Sequence, residues 1–546
     1  MRAEWVQRPT AAHLADRYRS EGWWTDDTLG RLVDDAVEAR PELRLRVWSA
    51  TRPFDGTVAD VRDDTRRLAG ALRARGIGPD DVVAFQLPNW AEAAVTFYAV
   101  SIVGAVLVPV VHFYGPRELG YILRETGARA LVTADRFGHL DYLAGLEALR
   151  PGLPALELVA VVGASPGPGD AVPFTTLVRD GTPDGRVTAV DPDAPAVVGY
   201  TSGTTANPKG VVHSHRSLAA ELRQVQTMGA MPSRPTLVGA PVGHAIGMQG
   251  GLLLPLLRGT DLHLIDVWNP PAVLAAMTEA GLTSGSGSTY FLQSLLDDPG
   301  CTPEHLRLVE RVGLGGAPVP AAVADRAESL GVTVVRSYGS TEHPSTTGSR
   351  YDDPLAKRGY TDGRPLGGVD LRLVDADGRD VALGEPGEIL TRGPDLFVGY
   401  TDAALTALAV DGDGWYSTGD VGVLDADGFL TITDRTKDII IRGGENISAA
   451  EVEELLARLP GVAEVAVVAA PDPRLGEHAC AFLRMQPGSE AGAASTLDGI
   501  RRHLEAGGLA RQKWPEELRV VADFPRTPSG KVKKFVLRAQ LRGEPT

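Results

Sequence analysis

The sequence predicts an α/β fold with a large N-terminal domain of stacked, mainly parallel sheets, a small barrel-like subdomain and a small C-terminal α+β domain. Short apolar segments alternate with helical patterns over the first two thirds of the 546 residues, which is typical of parallel sheets with crossover helices. After about residue 372, Asp-Gly turns separate short strands. The last hundred residues have a helix start and strands of their own. Because the chain is too long for one core, we predict domains at 1–436 and 437–546.

The N-terminal half gives the clearest local signals. Residues 1 to about 50 are predicted to form an N-terminal extension with a helix around Thr28–Ala39. A surface helix is predicted from Thr57 to before Gly76, since apolar positions alternate there with Asp and Arg. Buried strands are predicted where Val, Leu and Ala cluster, at 82–85, 105–108, 130–132, 237–240, 262–265 and 333–335.

Residues 93–111 form an uncharged stretch that is long enough to span a membrane. Gly104 and Pro109 interrupt it, so a helix, a glycine stop and a core strand explain it better, and we predict no membrane span. No signal peptide is expected either, because Arg2, Glu4 and Arg8 precede any apolar segment.

Bulk composition excludes several classes of function. The formal net charge of -16 argues against nucleic-acid or anionic-membrane binding, so an anionic ligand must be held by a local basic cluster. The two cysteines, Cys301 and Cys480, lie far apart in sequence, which excludes a disulfide scaffold and a cysteine zinc site. A reducing compartment fits this pattern, and we predict a cytoplasmic protein.

The C-terminal third contains turns and one helix signal. The Asp-Gly segments at 375–378, 411–414 and 425–428 resemble calcium loops, but none continues into the twelve-residue EF-hand pattern, so turn chemistry is the preferred interpretation. Residues 448–451 form a capping box that predicts a helix start. Strands are predicted in the C-terminal unit at 464–469 and 518–521.

The segment from Tyr200 to Gly210 has the composition of a phosphate-binding loop. It combines glycines, hydroxyls and Lys209 with no acidic side chain. A strand pattern precedes it and helical spacing begins at Arg216, so the loop is predicted to join strand to helix. A Walker P-loop is excluded, since Pro208 replaces its second glycine and Gly210 its Ser/Thr. An ordinary polar surface loop stays the alternative.

Further polar motifs follow in a fixed order. They are Gly315–Pro318, Ser337–Glu342, Tyr416–Asp420, Asp434–Asp438 running into Arg442–Asn446, and Pro525–Lys531. Together with Thr201–Gly210 they resemble, in order and spacing, the core motifs of the adenylate-forming superfamily: acyl-CoA synthetases, stand-alone adenylation domains and beetle luciferases. The resemblance covers roughly residues 50–540.

The resemblance implies a two-step reaction. A carboxylic acid is activated with ATP to acyl-AMP and pyrophosphate, and a thiol then displaces AMP. Lys531 corresponds to the lysine that bridges the acyl carboxylate and the α-phosphate. Glu342 corresponds to the ligand of Mg²⁺, a hard cation that prefers oxygen ligands. Thr204 and His244 complete the implied catalytic residues.

The ATP site implied by the resemblance draws on all these motifs. Asp420 would accept hydrogen bonds from the ribose hydroxyls, Arg435 would hold ribose and phosphate, and Tyr338 would lie against adenine, with a plain core aromatic as its alternative. The complete implied set is Thr201, Ser202, Gly203, Thr204, Thr205, Lys209, Gly315, Gly316, Ala317, Pro318, Ser337, Tyr338, Gly339, Ser340, Thr341, Asp420, Arg435 and Lys531.

Domain alternation is also implied by the resemblance. Lys437 falls at the family's hinge position, so the C-terminal domain is expected to be mobile and to present Lys531 for adenylation. After rotation it would present the side that carries Gly443 and Gly444. Glycine at 444 suits a narrow tunnel for the pantetheine of coenzyme A, because it adds no side chain to the wall.

The implied acyl pocket involves His244, Gly247, Met248 and Gly315, with His244 at its mouth or in a purely structural role. No Asp or Glu occurs between Glu221 and Asp261, which disfavours an amino-acid substrate. The apolar residues of this stretch favour a fatty, alicyclic or aryl acid. No Arg or Lys occurs from Pro241 up to Arg258, so this stretch has no cation that could bind a second carboxylate.

We therefore predict an AMP-forming acyl-CoA synthetase that takes ATP, an apolar carboxylic acid and coenzyme A, with Mg²⁺. The alternative is an acyl-AMP ligase that loads a carrier-protein phosphopantetheine. A luciferase-like oxygenase has no feature in its favour. A non-catalytic nucleotide-binding protein would be expected to lack Lys531, Glu342 or Thr204, and all three are present. A homodimer stays open.

Overall fold

The computed structural model describes residues 5, 7–164, 167, 169–201, 208–228, 234–435, 438–442, 445–486, 488–489, 496–527 and 530–544. The first strands are β1 (Arg44–Trp48), β2 (Phe54–Thr57), β3 (Val82–Gln86), β4 (Val106–Pro109), β5 (Ala130–Ala134), β6 (Arg136–Phe137), β7 (Leu140–Asp141), β8 (Leu158–Val162), β9 (Val172–Pro173), β10 (Pro195–Thr201), β11 (Lys209–Ser214), β12 (Leu237–Val238) and β13 (Leu262–Ile265). The next strands are β14 (Arg311–Gly315), β15 (Thr333–Tyr338), β16 (Thr347–Gly348), β17 (Arg364–Pro365), β18 (Asp370–Val374), β19 (Gly387–Arg392), β20 (Gly399–Tyr400), β21 (Tyr416–Leu424) and β22 (Leu430–Arg435). The last are β23 (Ile440–Arg442), β24 (Glu445–Ile447), β25 (Val462–Asp472), β26 (Gly476–Met485) and β27 (Glu517–Val521).

The helices lie between these strands. In the first half they are α1 (Ala12–Ser20), α2 (Leu29–Ala39), α3 (Val58–Ala74), α4 (Ala91–Val103), α5 (Pro116–Thr126), α6 (Tyr142–Leu149), α7 (Phe174–Asp180), α8 (His215–Thr227), α9 (Ala245–Met248) and α10 (Leu254–Arg258). In the second half they are α11 (Pro270–Ala280), α12 (Thr289–Leu296), α13 (Pro303–Val309), α14 (Ala321–Ser329), α15 (Leu355–Arg358), α16 (Ala403–Ala409), α17 (Ala449–Leu456), α18 (Leu497–Ala506) and α19 (Lys534–Arg542).

The main sheet of the described residues has the strand order β20-β11-β10-β4-β3-β5-β8-β9. Its central pairs, from β10 through β4, β3 and β5 to β8, are parallel. A second sheet has the order β12-β13-β1-β2 and a third β14-β15-β16-β17. The predicted α/β fold with mainly parallel sheets is therefore confirmed, and the predicted core strands all fall within or beside observed ones.

The prediction of an N-terminal extension is wrong. Helix α2 confirms the predicted helix, but its buried face, with Leu29 and Val33, belongs to the main hydrophobic core. Strand β1 pairs in parallel with β13, with Leu45 opposite Leu262. The amphipathic helix and the strand can bury their apolar faces only against the domain, so this segment is a part of it.

The uncharged stretch at 93–111 folds as a helix, a glycine stop and a strand, as predicted. Helix α4 is buried from Ala93 to Val103. Gly104 ends it in the left-handed region (φ 78°), which glycine adopts without steric cost, and β4 follows. In the part of the chain that the structure describes, none of the helices has both the length and the apolar character needed to cross a bilayer.

The prediction that the loop after β10 leads straight into a helix is wrong. Strands β10 and β11 form an antiparallel pair, with Tyr200 opposite Gly210 and Thr201 opposite Lys209, and α8 begins only after β11. The segment that begins with Val211 and Val212 is part of this buried strand. Short apolar segments do not distinguish strand from helix by periodicity, which explains the error.

The predicted turn subdomain is an antiparallel sheet with the order β18-β19-β21-β22. The Asp-Gly segments are turns, as predicted. The first aspartate of each turn (Asp375, Asp411 and Asp425) uses Oδ1 to accept backbone N–H groups two and four residues further on. These oxygens therefore serve turn formation.

The C-terminal part forms its own sheet, β24-β23-β26-β25 with β27 beside β26. The predicted strands at 464–469 and 518–521 lie within β25 and β27. Ser448 caps α17 by accepting a hydrogen bond from the Glu451 N–H at 3.0 Å. This part has hydrophobic clusters of its own, centred on residues such as Val467 and Phe482. The boundary at 436/437 stays a prediction.

Candidate active site

Two of the predicted motifs meet at the carboxyl ends of parallel strands. Strands β14 and β15 pair so that Gly315 lies opposite Ser337. Gly316 follows with φ +72°, a conformation that favours glycine. A Cβ on Gly316 would lie 3.2 Å from Ile246 Cδ1 and 3.9 Å from Lys531 Cε. The turn Gly315–Pro318 therefore lies beside the predicted acyl region and the predicted catalytic lysine.

Asp420 links Tyr338 and Arg435. It pairs with Arg435 across β21 and β22. The Tyr338 hydroxyl donates to Asp420 Oδ2 at 2.6 Å, and Arg435 Nε donates to Oδ1 at 2.5 Å. Burial, and then the Asp420 carboxylate, raise the pKa of Tyr338 well above its usual value, so the phenol keeps its proton. Each carboxylate oxygen has a second lone pair, which can accept a further hydrogen bond.

Glu342 is a buried residue of the site. Its Oε1 accepts a hydrogen bond from the Tyr400 hydroxyl at 2.8 Å, and its backbone carbonyl accepts one from Phe397 N–H at 2.8 Å. The Tyr400 ring centroid lies 5.0 Å from Lys209 Nζ, a cation–π contact. Tyr400 thus joins Glu342 to the strand that ends the phosphate-binding loop. The sequence-based prediction did not include Tyr400.

The segment between Ser337 and Glu342 is a tight loop. A Cβ on Gly339 would lie 1.8 Å from the Pro344 carbonyl oxygen, so the backbone comes too close there for any side chain. Ser340 N–H donates to the His343 carbonyl at 2.9 Å. The Thr341 carbonyl accepts a hydrogen bond from His213 Nε2 at 2.7 Å. These bonds fix the backbone that carries Glu342.

Lys531 reaches the same region from the C-terminal part. Its backbone N–H donates to Thr527 Oγ1 at 3.0 Å, which helps to shape the loop that carries it. The pKa of Lys531 is lowered to about 8, first by burial and then by the Arg435 guanidinium, while Asp420 and Glu342 oppose this shift. Residues from three distant motifs therefore share one electrostatic environment with the lysine.

His244 lies near Lys531 at the start of α9. Burial, and then the Lys531 charge, lower the pKa of His244 to about 4. Its Nδ1 accepts the Ile246 N–H at 3.4 Å, as a helix cap. The imidazole is therefore neutral at physiological pH.

A narrow cavity opens beside His244. Its wall includes Tyr200, His213, His244, Met248, Gln249 and Thr341. Helix α9 continues through a π-helical turn at Gln249–Leu253 into α10, a distortion that is frequent at functional sites. Gly247 has no room for a side chain, since a Cβ there would lie 2.1 Å from the Pro241 carbonyl oxygen. Gly315 likewise has no room for one, because a Cβ there would lie too close to Ser337.

A buried polar network lies behind this cavity, and the sequence-based prediction missed it. Ser345 Oγ donates to Glu221 Oε1 at 2.8 Å, and Ser345 N–H donates to Asp395 Oδ2 at 3.2 Å. His343 Nε2 donates to Asp395 Oδ1 at 3.1 Å. One signal was present in the sequence: Glu221 follows Leu218 by three positions and so lies on the apolar face of α8.

Several predicted site residues lie outside the described residues. They are Ser202, Gly203, Thr204, Thr205, Lys437, Gly443 and Gly444. Thr201 and Lys209 flank the phosphate-binding loop in paired strands. The ligands of these residues, and the roles of Gly316, Ala317 and Pro318 in ATP binding, stay predictions.

Comparison with known proteins identifies the family. The family model described as AMP-binding enzyme matches residues 33–401. The chain belongs to the AMP-binding enzymes. A second model, AMP-binding enzyme C-terminal domain, matches residues 451–531. The predicted resemblance to the adenylate-forming superfamily is therefore confirmed for both parts of this AMP-binding enzyme.

Similar proteins share almost the full length of this AMP-binding enzyme. It is 32% identical over 526 residues to a medium-chain fatty-acid–CoA ligase of Escherichia coli (strain K12), covering 96% of this chain and 92% of that protein. It is 34% identical over 551 residues to a salicylyl-CoA synthase / salicylate adenylyltransferase of Streptomyces sp, covering 98% of both. The crystal structure of the anthranilate CoA ligase AuaEII in complex with anthranoyl-AMP superposes with a TM-score of 0.85 at 25% identity, covering 94% of this chain and 97% of that chain. This enzyme is an ATP-dependent, AMP-forming acyl-CoA synthetase, an acid–thiol ligase, as predicted.

Proposed function

We propose that this AMP-forming ligase activates a mainly apolar carboxylic acid, fatty, alicyclic or aryl, and transfers its acyl group to coenzyme A. The observation that carries the proposal is the convergence of Lys531 with Glu342, Asp420 and Arg435 next to the cavity at His244. In this arrangement the acid lies in the cavity with its carboxylate toward Lys531, and the nucleotide lies along Asp420 and Arg435.

In the adenylation step, one anion attacks another. The acid's carboxylate oxygen forms a bond to the α-phosphorus, and pyrophosphate leaves. The Lys531 ammonium binds between the carboxylate and the α-phosphate and screens their repulsion. A single ion pair at about 4 Å contributes about 4 kcal/mol at an effective dielectric of about 20. His244, which is neutral, orients the carboxylate or closes the mouth of the cavity.

The nucleotide is held by groups on both sides of this reaction centre. Asp420 accepts hydrogen bonds from the ribose hydroxyls. Arg435 binds the ribose and the phosphate, and Tyr338 packs beside the adenine. The hydroxyls and backbone N–H groups of 201–205 bind the departing pyrophosphate, with Lys209 adding positive charge. Support comes from the Tyr338–Asp420–Arg435 hydrogen bonds, which preorganise the ribose side.

Mg²⁺ is the metal we propose for this site. Glu342 supplies one buried carboxylate, and the described residues contain no group of three or more His, Cys, Asp or Glu side chains that could hold a metal. This donor set fits Mg²⁺, which usually takes one or two protein carboxylates and completes its shell with water and substrate phosphates. When bound, it would neutralise phosphate charge, and Glu342 would be one of its ligands.

The thioester step is proposed to need a second orientation of the C-terminal part, reached by rotation at Lys437. Gly443 and Gly444 would then line the tunnel for pantetheine. Coenzyme A is favoured over a carrier protein as the acceptor, because the similar proteins from E. coli and Streptomyces are named for CoA products. The cytoplasm, a reducing compartment that suits the free Cys301 and Cys480, is the proposed location.

A pyrophosphate-release screen tests this function. The enzyme is incubated with ATP, Mg²⁺ and a panel of fatty, alicyclic, aryl, amino and dicarboxylic acids, with and without coenzyme A. We expect pyrophosphate with at least one apolar acid, and its acyl-CoA only when coenzyme A is present. Turnover confined to amino acids or dicarboxylic acids would refute the proposed substrate class.

A further inference from the structure

Gln249 is a polar residue in the mainly apolar wall of the cavity beside His244. It lies at the first position of the π-helical turn, next to Met248 and across from Leu218 of α8. The side chain is half-buried. An amide in such a wall is unfavourable unless its N–H and C=O groups find hydrogen-bond partners. We therefore expect the Gln249 amide to have a hydrogen-bond partner, either in the cavity or behind it.

Glu221 lies behind the cavity, within interaction range of Gln249. Its side chain is only 1% exposed. Ser345 satisfies Oε1, whereas Oε2 makes no hydrogen bond of ordinary length in the described part of the chain. Burial, and then the Asp395 carboxylate, raise the pKa of Glu221 well above its usual range. Both effects favour the protonated, neutral form of Glu221.

A neutral amide in a mainly apolar wall selects for a neutral ligand group. An ammonium or a second carboxylate would enter the cavity without a charged partner from Gln249, and the cost of burying an unpaired charge is high. An Asn or Gln amide has both donor and acceptor atoms, so Gln249 points to a ligand that hydrogen-bonds.

We propose that Gln249, supported by Glu221, binds a hydroxyl group on the acyl part of the acid, so that the substrate is a hydroxy-substituted, otherwise apolar carboxylic acid. A hydroxyl both donates and accepts, so it fits either orientation of the amide, whereas a keto oxygen fits only one. The inference rests on the proposed function of the same cavity, because it assumes that the acyl part of the acid lies there.

Matched pairs of acids test the inference. The hydroxybenzoic acids are compared with the methylbenzoic acids of the same substitution pattern, and ω-hydroxy straight-chain acids with the acids that carry a methyl group in place of the hydroxyl. The readout is kcat/KM for pyrophosphate release with ATP and Mg²⁺. Since each ratio compares two acids on one enzyme preparation, partial misfolding of a variant cancels.

For at least one pair, the native enzyme is expected to prefer the hydroxy acid by about tenfold or more, since a site built to hydrogen-bond a hydroxyl rejects the analogue that lacks it. In Gln249→Met, which keeps the length of the side chain, this ratio should fall to about one or below. Met248→Leu, on the same wall, is the matched control and should change kcat/KM for both acids of a pair alike.

Two results would overturn the inference. They are a native preference for the methyl acid in every pair and a ratio that Gln249→Met leaves unchanged. An unchanged ratio would mean that Gln249 only holds Glu221 in place. The proposed function fails separately, because it predicts pyrophosphate release with apolar acids whether or not they carry a hydroxyl.

Discussion

Lys531 and His244 show how burial divides roles between two neighbouring side chains. Both have lowered pKa values, but their consequences differ. With a pKa of about 4, His244 is neutral at physiological pH, while Lys531, with a pKa of about 8, is mainly charged. The charge of this pair is therefore on the lysine, in the place where the carboxylate and α-phosphate are proposed to meet.

Replacing Lys531 by alanine should separate the two half-reactions. Pyrophosphate release from ATP and acid should fall by a hundredfold or more, the usual loss for one preorganised group at a reaction centre. Thioester formation from supplied acyl-adenylate should be largely retained. Lys533→Ala, two residues along the same segment, is the control and should affect both half-reactions little. Equal loss of both in Lys531→Ala would contradict the proposed role.

The pKa of Lys531 also predicts the alkaline limb of the pH profile. As the pH rises through about 8, the ammonium loses its proton, so the charge that screens the two anions disappears and adenylation slows. We expect kcat/KM for pyrophosphate release, which reports the free enzyme, to fall above pH 8. In Lys531→Arg the limb should shift beyond the measurable range, since arginine stays charged. A native profile flat to pH 10 would refute this assignment.

At the residue scale, site residues could be predicted from the sequence where the chemistry requires one particular residue type. Tyr338, Asp420 and Arg435 could be named from their motifs, and the structure adds that they bond to one another. Glu221 and Gln249 could not be paired in advance, because their helices meet only through tertiary packing. A buried carboxylic acid leaves no mark in sequence except a charge on an apolar helix face.

Among the elements, the loop between β15 and Glu342 depends on close backbone contact. Gly339→Ala would place a Cβ 1.8 Å from the Pro344 carbonyl oxygen, a backbone atom that cannot turn aside as a side chain can. We expect a loss of about 1–3 kcal/mol in the free energy of unfolding, as for other overpacked sites, and a larger loss of activity because Glu342 moves with the loop.

Urea unfolding and pyrophosphate release measure these two effects. Gly412→Ala is the matched control, since a Cβ there meets no atom within 4 Å. Its stability should stay within about 0.5 kcal/mol of the native enzyme, as is usual for surface substitutions. If Gly339→Ala proved as stable and as active as Gly412→Ala, the close contact would have no part in positioning Glu342.

Elements with a strong local signal were predictable, and elements defined by their partners were not. The stop of α4 at Gly104 and the Asp-Gly turns follow from local chemistry. Strand β11 was missed because a short segment with only Val211 and Val212 as apolar side chains fits a strand or a helix equally well. Only its pairing with β10 and β20 decides between them, and that pairing is not encoded in the segment itself.

Across the whole molecule, the class of fold could be predicted from the sequence, but the assembly of its sheets could not. Parallel order could be expected from alternating strands and helices. The position of β1 beside β13, more than two hundred residues away, could not, and this is why an extension was expected where a core segment is found. The same limit applies to contacts between the N-terminal and C-terminal parts, which join residues far apart in sequence.

One such contact predicts which orientation of the two parts is favoured. Glu454 on α17 accepts the Ala321 N–H at the start of α14, with both carboxylate oxygens 3.2–3.3 Å away. A carboxylate is stabilising at a helix N-terminus, by about 0.3–1 kcal/mol at an exposed site. This contact stabilises the observed orientation, in which Lys531 lies in the same electrostatic environment as Glu342 and Asp420 and which we propose for adenylation.

Glu454→Gln should therefore shift the balance away from adenylation. A loss of 0.3–1 kcal/mol corresponds to a two- to fivefold change in population, so pyrophosphate release should fall by about that factor when rotation limits the rate. Thioester formation from supplied acyl-adenylate should be unchanged or faster. Glu451→Gln on the same helix is the matched control, because Glu451 pairs with Lys513 within the C-terminal part. A parallel decrease in both half-reactions, or the same change in both variants, would show that the Glu454–Ala321 contact does not select between orientations.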